Sequence, residues 1–166
     1  MKGDTKVLEF LNNGLKGELT AISQYFLHAK MLQDWGFSKL GKHEYDESID
    51  EMKHAETLMA RILFLEGVPN LQYLDKLLIG EDVKEIFEGD MKLELDGIAN
   101  YKAGIKHCEE VGDYVTRDLF AEILEDEEGH VDYIETQLSM IEKLGMPNYL
   151  LLLSLIHISE PTRHEC

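Results

Sequence analysis

The feature that most constrains this 166-residue sequence is a set of polar residues that repeats at an offset of 76 positions. Its six main members pair a residue of the first half with the same residue type in the second half: Glu18 with Glu94, Glu51 with Glu127, and His54 with His130. Tyr25 and Tyr101 keep the same offset, as do Asp50 and Asp126. A repeat retained by core packing alone would be visible at apolar positions. We therefore infer the internal duplication of a helix pair whose polar side chains share one task.

Apolar residues recur at steps of three and four along most of the chain, which predicts long amphipathic helices. We predict four of them, with a shorter fifth helix from Asn148, at residues 5–33, 39–65, 82–111 and 113–144. Asp4 and Asp113 suit the N-cap position, and Asp82 with Glu85 has the spacing of a capping box. Gly112 suits the end of the third helix.

The connection between the second and third helices, residues 67–80, is longer than a tight turn. Because it contains five large apolar residues, we predict that it packs on the bundle: Leu71, Tyr73, Leu74, Leu77 and Leu78. A connection of this length can cross a bundle from end to end. Four long helices with one long central crossover predict an all-α, ferritin-like four-helix bundle with a short C-terminal fifth helix.

Two Glu-x-x-His motifs, Glu51 to His54 and Glu127 to His130, each place a carboxylate and an imidazole on one helix face. Either motif alone is weak, since such a face is usually solvated. The repeat adds Glu18 and Glu94, which lie on apolar stripes where bare carboxylates would cost several kcal/mol. Four carboxylates would balance two divalent cations. One Glu from each of two helices and Glu-x-x-His from the other two is the ligand pattern of di-iron carboxylate proteins, so the six residues are predicted metal ligands.

The formal net charge of −17 disfavours nucleic acid as a partner and suits a protein that attracts cations. Cys108 and Cys166 form neither a metal motif nor a disulfide framework, which favours a reducing cytoplasm. The N-terminus carries no apolar stretch of signal-peptide length. The longest apolar run, near the C-terminus, is too short to span a bilayer, so no membrane association is expected.

Residues 1–150 resemble bacterioferritin, most clearly in LTAISQYF at 19–26 and DEMKHAE at 50–56. The resemblance implies a di-iron ferroxidase site at the six ligands, with Tyr25 beside it as a hydrogen-bonding or electron-supplying residue. Met52 matches the family's haem ligand, which implies a haem b shared between two subunits. Asp46 and Asp50 become candidates for an inner-surface iron site.

The resemblance also implies a 24-subunit cage, built of dimers, that oxidises Fe(II) and stores it as a ferric mineral. A ferredoxin-type reductant is expected as a partner. Two alternatives stay open: a di-metal oxidase or peroxidase of the same superfamily that stores no mineral, and a DNA-protecting mini-ferritin. Mini-ferritins place their ligands between subunits, whereas this chain has a full set of its own.

The last residues, 151–166, depart from the polar, acidic ending expected of the family. We therefore divide the chain into a ferritin-like di-iron domain, 1–150, and an atypical tail, 151–166, that looks unrelated to the fold. Because the family's short fifth helix lines the fourfold pores, this departure puts the pore chemistry in question.

Overall fold

The computed structural model describes residues 1–159, with side chains described up to residue 155, and all of its regular structure is helical. The chain forms five helices in order: α1 (Thr5–Asp34), α2 (Ser38–Phe64), α3 (Val83–Val111), α4 (Tyr114–Leu144) and α5 (Met146–Ser159). The predicted bounds agree with these within two residues. The all-α architecture is confirmed.

The helices begin and end where local side chains satisfy the free backbone groups. Three aspartates accept backbone N–H bonds as N-caps: Asp4 from Val7, Asp82 from Glu85, and Asp113 from Thr116. Gly112 ends α3 at a φ of 76°, in the left-handed region that favours glycine. The predicted capping box is only half correct, because the Glu85 side chain accepts from the N–H of Glu81 rather than from that of Asp82.

Two apolar clusters define the topology. The first joins the N-terminal half of α1, the C-terminal half of α2, the C-terminal half of α3 and the N-terminal half of α4. The second joins the opposite halves of the same helices together with Tyr149 of α5. Hence α1 runs antiparallel to α2 and α3 and parallel to α4. The connection from α2 to α3 must then run the length of the bundle, as predicted.

The crossover, residues 67–80, is held to α1 mainly by polar contacts. Four of its backbone N–H groups donate to side chains of α1: Asn70 to Asn12, Asp75 to Thr20 and Leu78 to Gln24, each at 2.9 Å, and Gly80 to His28 at 3.0 Å. The segment lies against the bundle as predicted, but Leu71, Tyr73 and Leu74 are about half exposed or more in this chain. The polar bonds suffice to hold the segment there, so these side chains need not turn inward.

The fifth helix begins at Met146, directly after Gly145, and continues to Ser159. Tyr149 anchors it, since the ring is fully buried and its hydroxyl donates to Gln137 at 2.6 Å. The helix crosses residue 150 without a break, and residues 160–166 of the predicted tail lie outside the described residues. Within 1–159, no helix is both long enough and apolar enough to span a membrane.

Candidate metal centre

Six carboxylate and imidazole side chains meet in the interior of the bundle, between the two apolar clusters. None is more than 8% exposed, and each of the four long helices contributes at least one of them: Glu18 from α1, Glu51 and His54 from α2, Glu94 from α3, Glu127 and His130 from α4. These are the residues that the repeat predicts, and the fold brings all six together.

Their potential ligand atoms form two overlapping groups of four, each with all atoms within 4.8 Å of one another. One group contains Glu18, Glu51, His54 and Glu127, and the other contains Glu51, Glu94, Glu127 and His130. The Nδ1 atom of His54 lies 3.2 Å from Glu127, and that of His130 lies 3.1 Å from Glu51. Because Glu51 and Glu127 belong to both groups, the geometry suits two adjacent ions with carboxylates between them.

Five of these side chains have a buried atom that makes no hydrogen bond: Glu18 Oε2, Glu51 Oε1, His54 Nδ1, Glu94 Oε2 and Glu127 Oε1. Buried polar atoms are normally satisfied, so a cluster of orphans calls for an explanation. Carboxylate oxygens and imidazole nitrogens are the donors that iron, manganese and zinc accept. The donor set therefore fits a pair of such ions.

Without metal, bound protons must offset the repulsion among the four buried carboxylates of the centre. Burial disfavours a charged imidazole, but the carboxylates of Glu18 and Glu51 outweigh it and raise the pKa of His54 to about 11. The pKa of His130 is also raised, by Glu47, Glu51 and Glu94 against the effect of burial. Burial and the charge of Glu18 raise the pKa of Glu51 well above its usual range. Divalent cations would replace these protons.

Two buried tyrosines support the carboxylates in a repeat-related way. The Tyr25 hydroxyl donates to Oε1 of Glu94, as the sequence predicts, and the Tyr101 hydroxyl donates to Oε1 of Glu18 at 2.6 Å. The offset of 76 already paired the two tyrosines, so the role of Tyr101 was available from the sequence once that of Tyr25 was proposed.

The outer nitrogens of the histidines also contact carboxylates, which fixes the orientation of each ring. Asp50 and Asp126 each directly precede a Glu-x-x-His motif, and this position predicts that they accept the second ring N–H of a histidine. Asp126 is confirmed, at 2.8 Å from Nε2 of His54. For His130 the partner is Glu47 instead, at 2.5 Å from Nε2. Glu47 precedes Glu51 by one helical turn. Its side chain is one methylene longer than that of Asp50 and reaches the ring of His130.

The other predicted site residues lie on the surface of α2. Asp46 pairs with Lys42 at 2.8 Å, while Asp50 lies close to Glu47 and His130. Met52 is 50% exposed although its neighbour Glu51 is buried, so the two side chains leave the helix in different directions.

Comparison with known proteins agrees with this architecture. The ferritin-like domain family matches residues 8–144, which include all six residues of the centre. The chain is 51% identical to the bacterioferritin of Brucella melitensis over 149 residues, covering 90% of this chain and 92% of that protein. This chain belongs to the bacterioferritin family. A second bacterioferritin, from Rhodobacter capsulatus, is 51% identical over 152 residues, with 92% and 94% covered. A third, from Streptomyces coelicolor, is 49% identical over 150 residues, with 90% of each chain covered.

Membership of the bacterioferritin family confirms the resemblance drawn from the sequence motifs. The domain match stops at residue 144, at the end of α4, and so leaves α5 outside.

Proposed function

We propose that this protein is an iron-storage ferroxidase, which oxidises Fe(II) to Fe(III) and stores the product as a ferric mineral. The observation that carries the proposal is the pair of overlapping, buried groups that share Glu51 and Glu127. One ion would take Glu18 and His54 as its own ligands, and the other would take Glu94 and His130. Four carboxylates then balance two divalent ions, which removes the cost of burying them.

Fe(II) is the substrate, and two ions held side by side can pass two electrons to dioxygen or peroxide at one place. The chain's own groups prepare that place. Tyr101 and Tyr25 hold Glu18 and Glu94 through hydroxyl hydrogen bonds, and the phenol of Tyr25 would also supply an electron. Asp126 and Glu47 orient the two imidazoles so that each Nδ1 atom faces the ions.

Storage requires an assembly, and we propose the 24-subunit cage built of dimers. The family membership and the net charge of −17 support this, since an acidic shell attracts cations. Met52, half exposed on α2, would serve as an axial ligand of a haem b shared with a second subunit. Asp46 and Asp50 would bind iron at the inner surface. A ferredoxin-type reductant in the cytoplasm would supply the electrons for iron release.

The test is aerobic iron loading of the full chain and of Glu18→Ala, with Glu88→Ala as a control that removes an exposed carboxylate from α3. We expect the wild type and the control to oxidise Fe(II) rapidly and to retain hundreds of ions per cage. Glu18→Ala should lose rapid oxidation, while light scattering shows an unchanged particle. Normal oxidation by Glu18→Ala would overturn the ferroxidase assignment. Uptake that stops near two ions per wild-type chain would favour a di-metal oxidase without storage.

A further inference from the structure

A second buried polar cluster lies beside the six-residue centre and takes no part in it. Its members are His28 of α1, Glu44 of α2 and Asp90 of α3, which are 0%, 3% and 1% exposed. Their potential ligand atoms all lie within 4.8 Å of one another. Side chains of this kind are rarely so deeply buried without a partner.

The hydrogen bonds around Asp90 show what holds it. Gln24 and Nδ1 of His28 each contact Oδ1 of Asp90 at 2.9 Å. The backbone N–H of Gly80 donates to Nε2 of His28 at 3.0 Å, so Nε2 carries a lone pair and the proton sits on Nδ1. His28 is therefore a neutral donor to Asp90. The crossover fixes both supports, since Leu78 bonds to the amide oxygen of Gln24.

The cluster lacks positive charge. Within residues 1–159, the structure gives Glu44 no ion-pair partner, and it gives Asp90 only the neutral His28. The Oε1 atom of Glu44 is buried and has no hydrogen-bond partner. Burial and the charge of Asp90 raise the pKa of Glu44 well above its usual range. Two buried carboxylates in this position must share a proton or hold a cation.

The internal repeat shows that the equivalent position in the other half is filled without charged side chains. At the offset of 76, Glu44 corresponds to Phe120, His28 to Gly104 and Asp90 to Gly14. In that half, Phe120 fills the space against Gly104, where an added Cβ would lie 2.8 Å from the ring. An apolar plug thus serves the same packing position in one half, while the other half keeps three polar side chains.

We propose that Glu44 and Asp90 form a third metal site, separate from the six-residue centre, that takes one divalent transition-metal ion such as Fe(II). His28 and Gln24 are positioning residues that hold Asp90. Two carboxylates neutralise one such ion, and hard oxygen donors suit Fe(II) and Mn(II).

The surroundings leave room for about one water molecule or one ion beside the two carboxylates. A small cavity lies against Glu44 and Asp90 and is also lined by Tyr25, Glu47 and His130. The site therefore adjoins the hydrogen-bonded surroundings of the six-residue centre. An ion there would be a close neighbour of the centre without sharing its ligands.

The test uses crystals of the metal-free full chain equilibrated with Mn(II), and it locates the metal by anomalous scattering. We expect a peak bound to Glu44 and Asp90, in addition to any peaks at the six-residue centre. Glu44→Gln should remove this peak alone and lower Mn(II) binding in solution by one ion per chain. Glu88→Gln, which makes the same change at an exposed position of α3, should bind as the wild type does.

Absence of the peak in the wild type, at Mn(II) levels that fill the six-residue centre, would overturn the proposal and leave a shared proton as the cation. The wild-type crystal alone gives this result, so the test remains decisive even if Glu44→Gln does not assemble. Because the two sites are resolved in space, a centre that stays empty while the Glu44 site fills would count against the proposed function alone.

Discussion

Tyr101 and Glu18 are joined by a buried hydrogen bond of 2.6 Å that links α3 to α1 across the core. The same bond recurs between Tyr25 and Glu94, at the repeat-related positions. The duplication has therefore preserved the support of the centre as well as its ligands.

Tyr101→Phe should destabilise the metal-free protein by about 1–3 kcal/mol, because a buried carboxylate loses its donor. The effect should shrink in metal-loaded protein, where a cation takes over that oxygen's charge. Thermal denaturation of both forms measures the difference. Equal losses in the two forms would show that the hydroxyl acts only in packing. Tyr114→Phe, at an exposed position, is the control.

Metal binding at pH 7 should release protons from both His54 and His130, since their pKa values are raised and only the neutral imidazole binds a metal. Calorimetric titration with Zn(II) in buffers of different ionisation enthalpy counts the protons. His54→Gln should lower the count by one. An unchanged count would mean that His54 is already neutral.

The raised pKa of His54 also determines how the stability of the metal-free protein changes with pH. The stabilisation from protonated His54 is complete below the ordinary pKa near 6.5 and is lost as the pH rises through about 11. Metal-free protein should therefore unfold more easily at alkaline pH, and denaturant titrations between pH 7 and 11 would show it. A flat profile in this range would contradict the assigned ion pairs.

Gly104→Ala should destabilise the bundle by about 1–3 kcal/mol, because the new methyl group meets the ring of Phe120 at 2.8 Å. Gly97→Ala is the matched control on the same helix, where an added Cβ contacts nothing within 4 Å. The control should gain about 0.5–1 kcal/mol from higher helix propensity. Opposite shifts in the melting temperature are expected, and equal shifts would refute the packing argument.

Asp113→Ala should weaken the start of α4 by about 0.5–2 kcal/mol through loss of the N-cap. It would also release Arg61, whose guanidinium donates to Asp113 at 3.0 Å and to Thr116 at 2.9 Å. Burial opposes ionisation of Asp113, but bonds from Thr116 and Arg61 lower its pKa. Its contribution is thus present above pH 3.8 and lost as the pH falls through the lowered value. Acid unfolding of the wild type and the variant should converge, and parallel curves would contradict this.

Much of the fold could be predicted because the start and end of a helix depend on residues that are close in sequence. Caps such as Asp4 and Asp113 and the stop at Gly112 mark the helix ends through bonds to neighbouring residues. The six residues of the centre could be identified because each recurs at the offset of 76 positions. Neither signal depends on knowing which helices touch.

Contacts between helices were harder to predict. Asp50 is repeat-related to Asp126, yet Glu47 holds His130, because reach across the bundle depends on side-chain length as well as position. Glu44 lies in an acidic stretch that looks like any solvated helix face, and only the packing of α1, α2 and α3 shows it to be buried. The crossover's apolar residues suggested burial, but backbone bonds to α1 made that burial unnecessary.

Those backbone bonds also bear on how the chain is made. Every bond from the crossover to Thr20, Gln24 and His28 joins residues within the first eighty positions. During synthesis, α1, α2 and the crossover can therefore associate while α3 is still emerging from the ribosome. The N-terminal half would then already hold Gln24 and His28 in the positions from which they bond Asp90. The second half of the chain would therefore dock onto a surface that is already ordered.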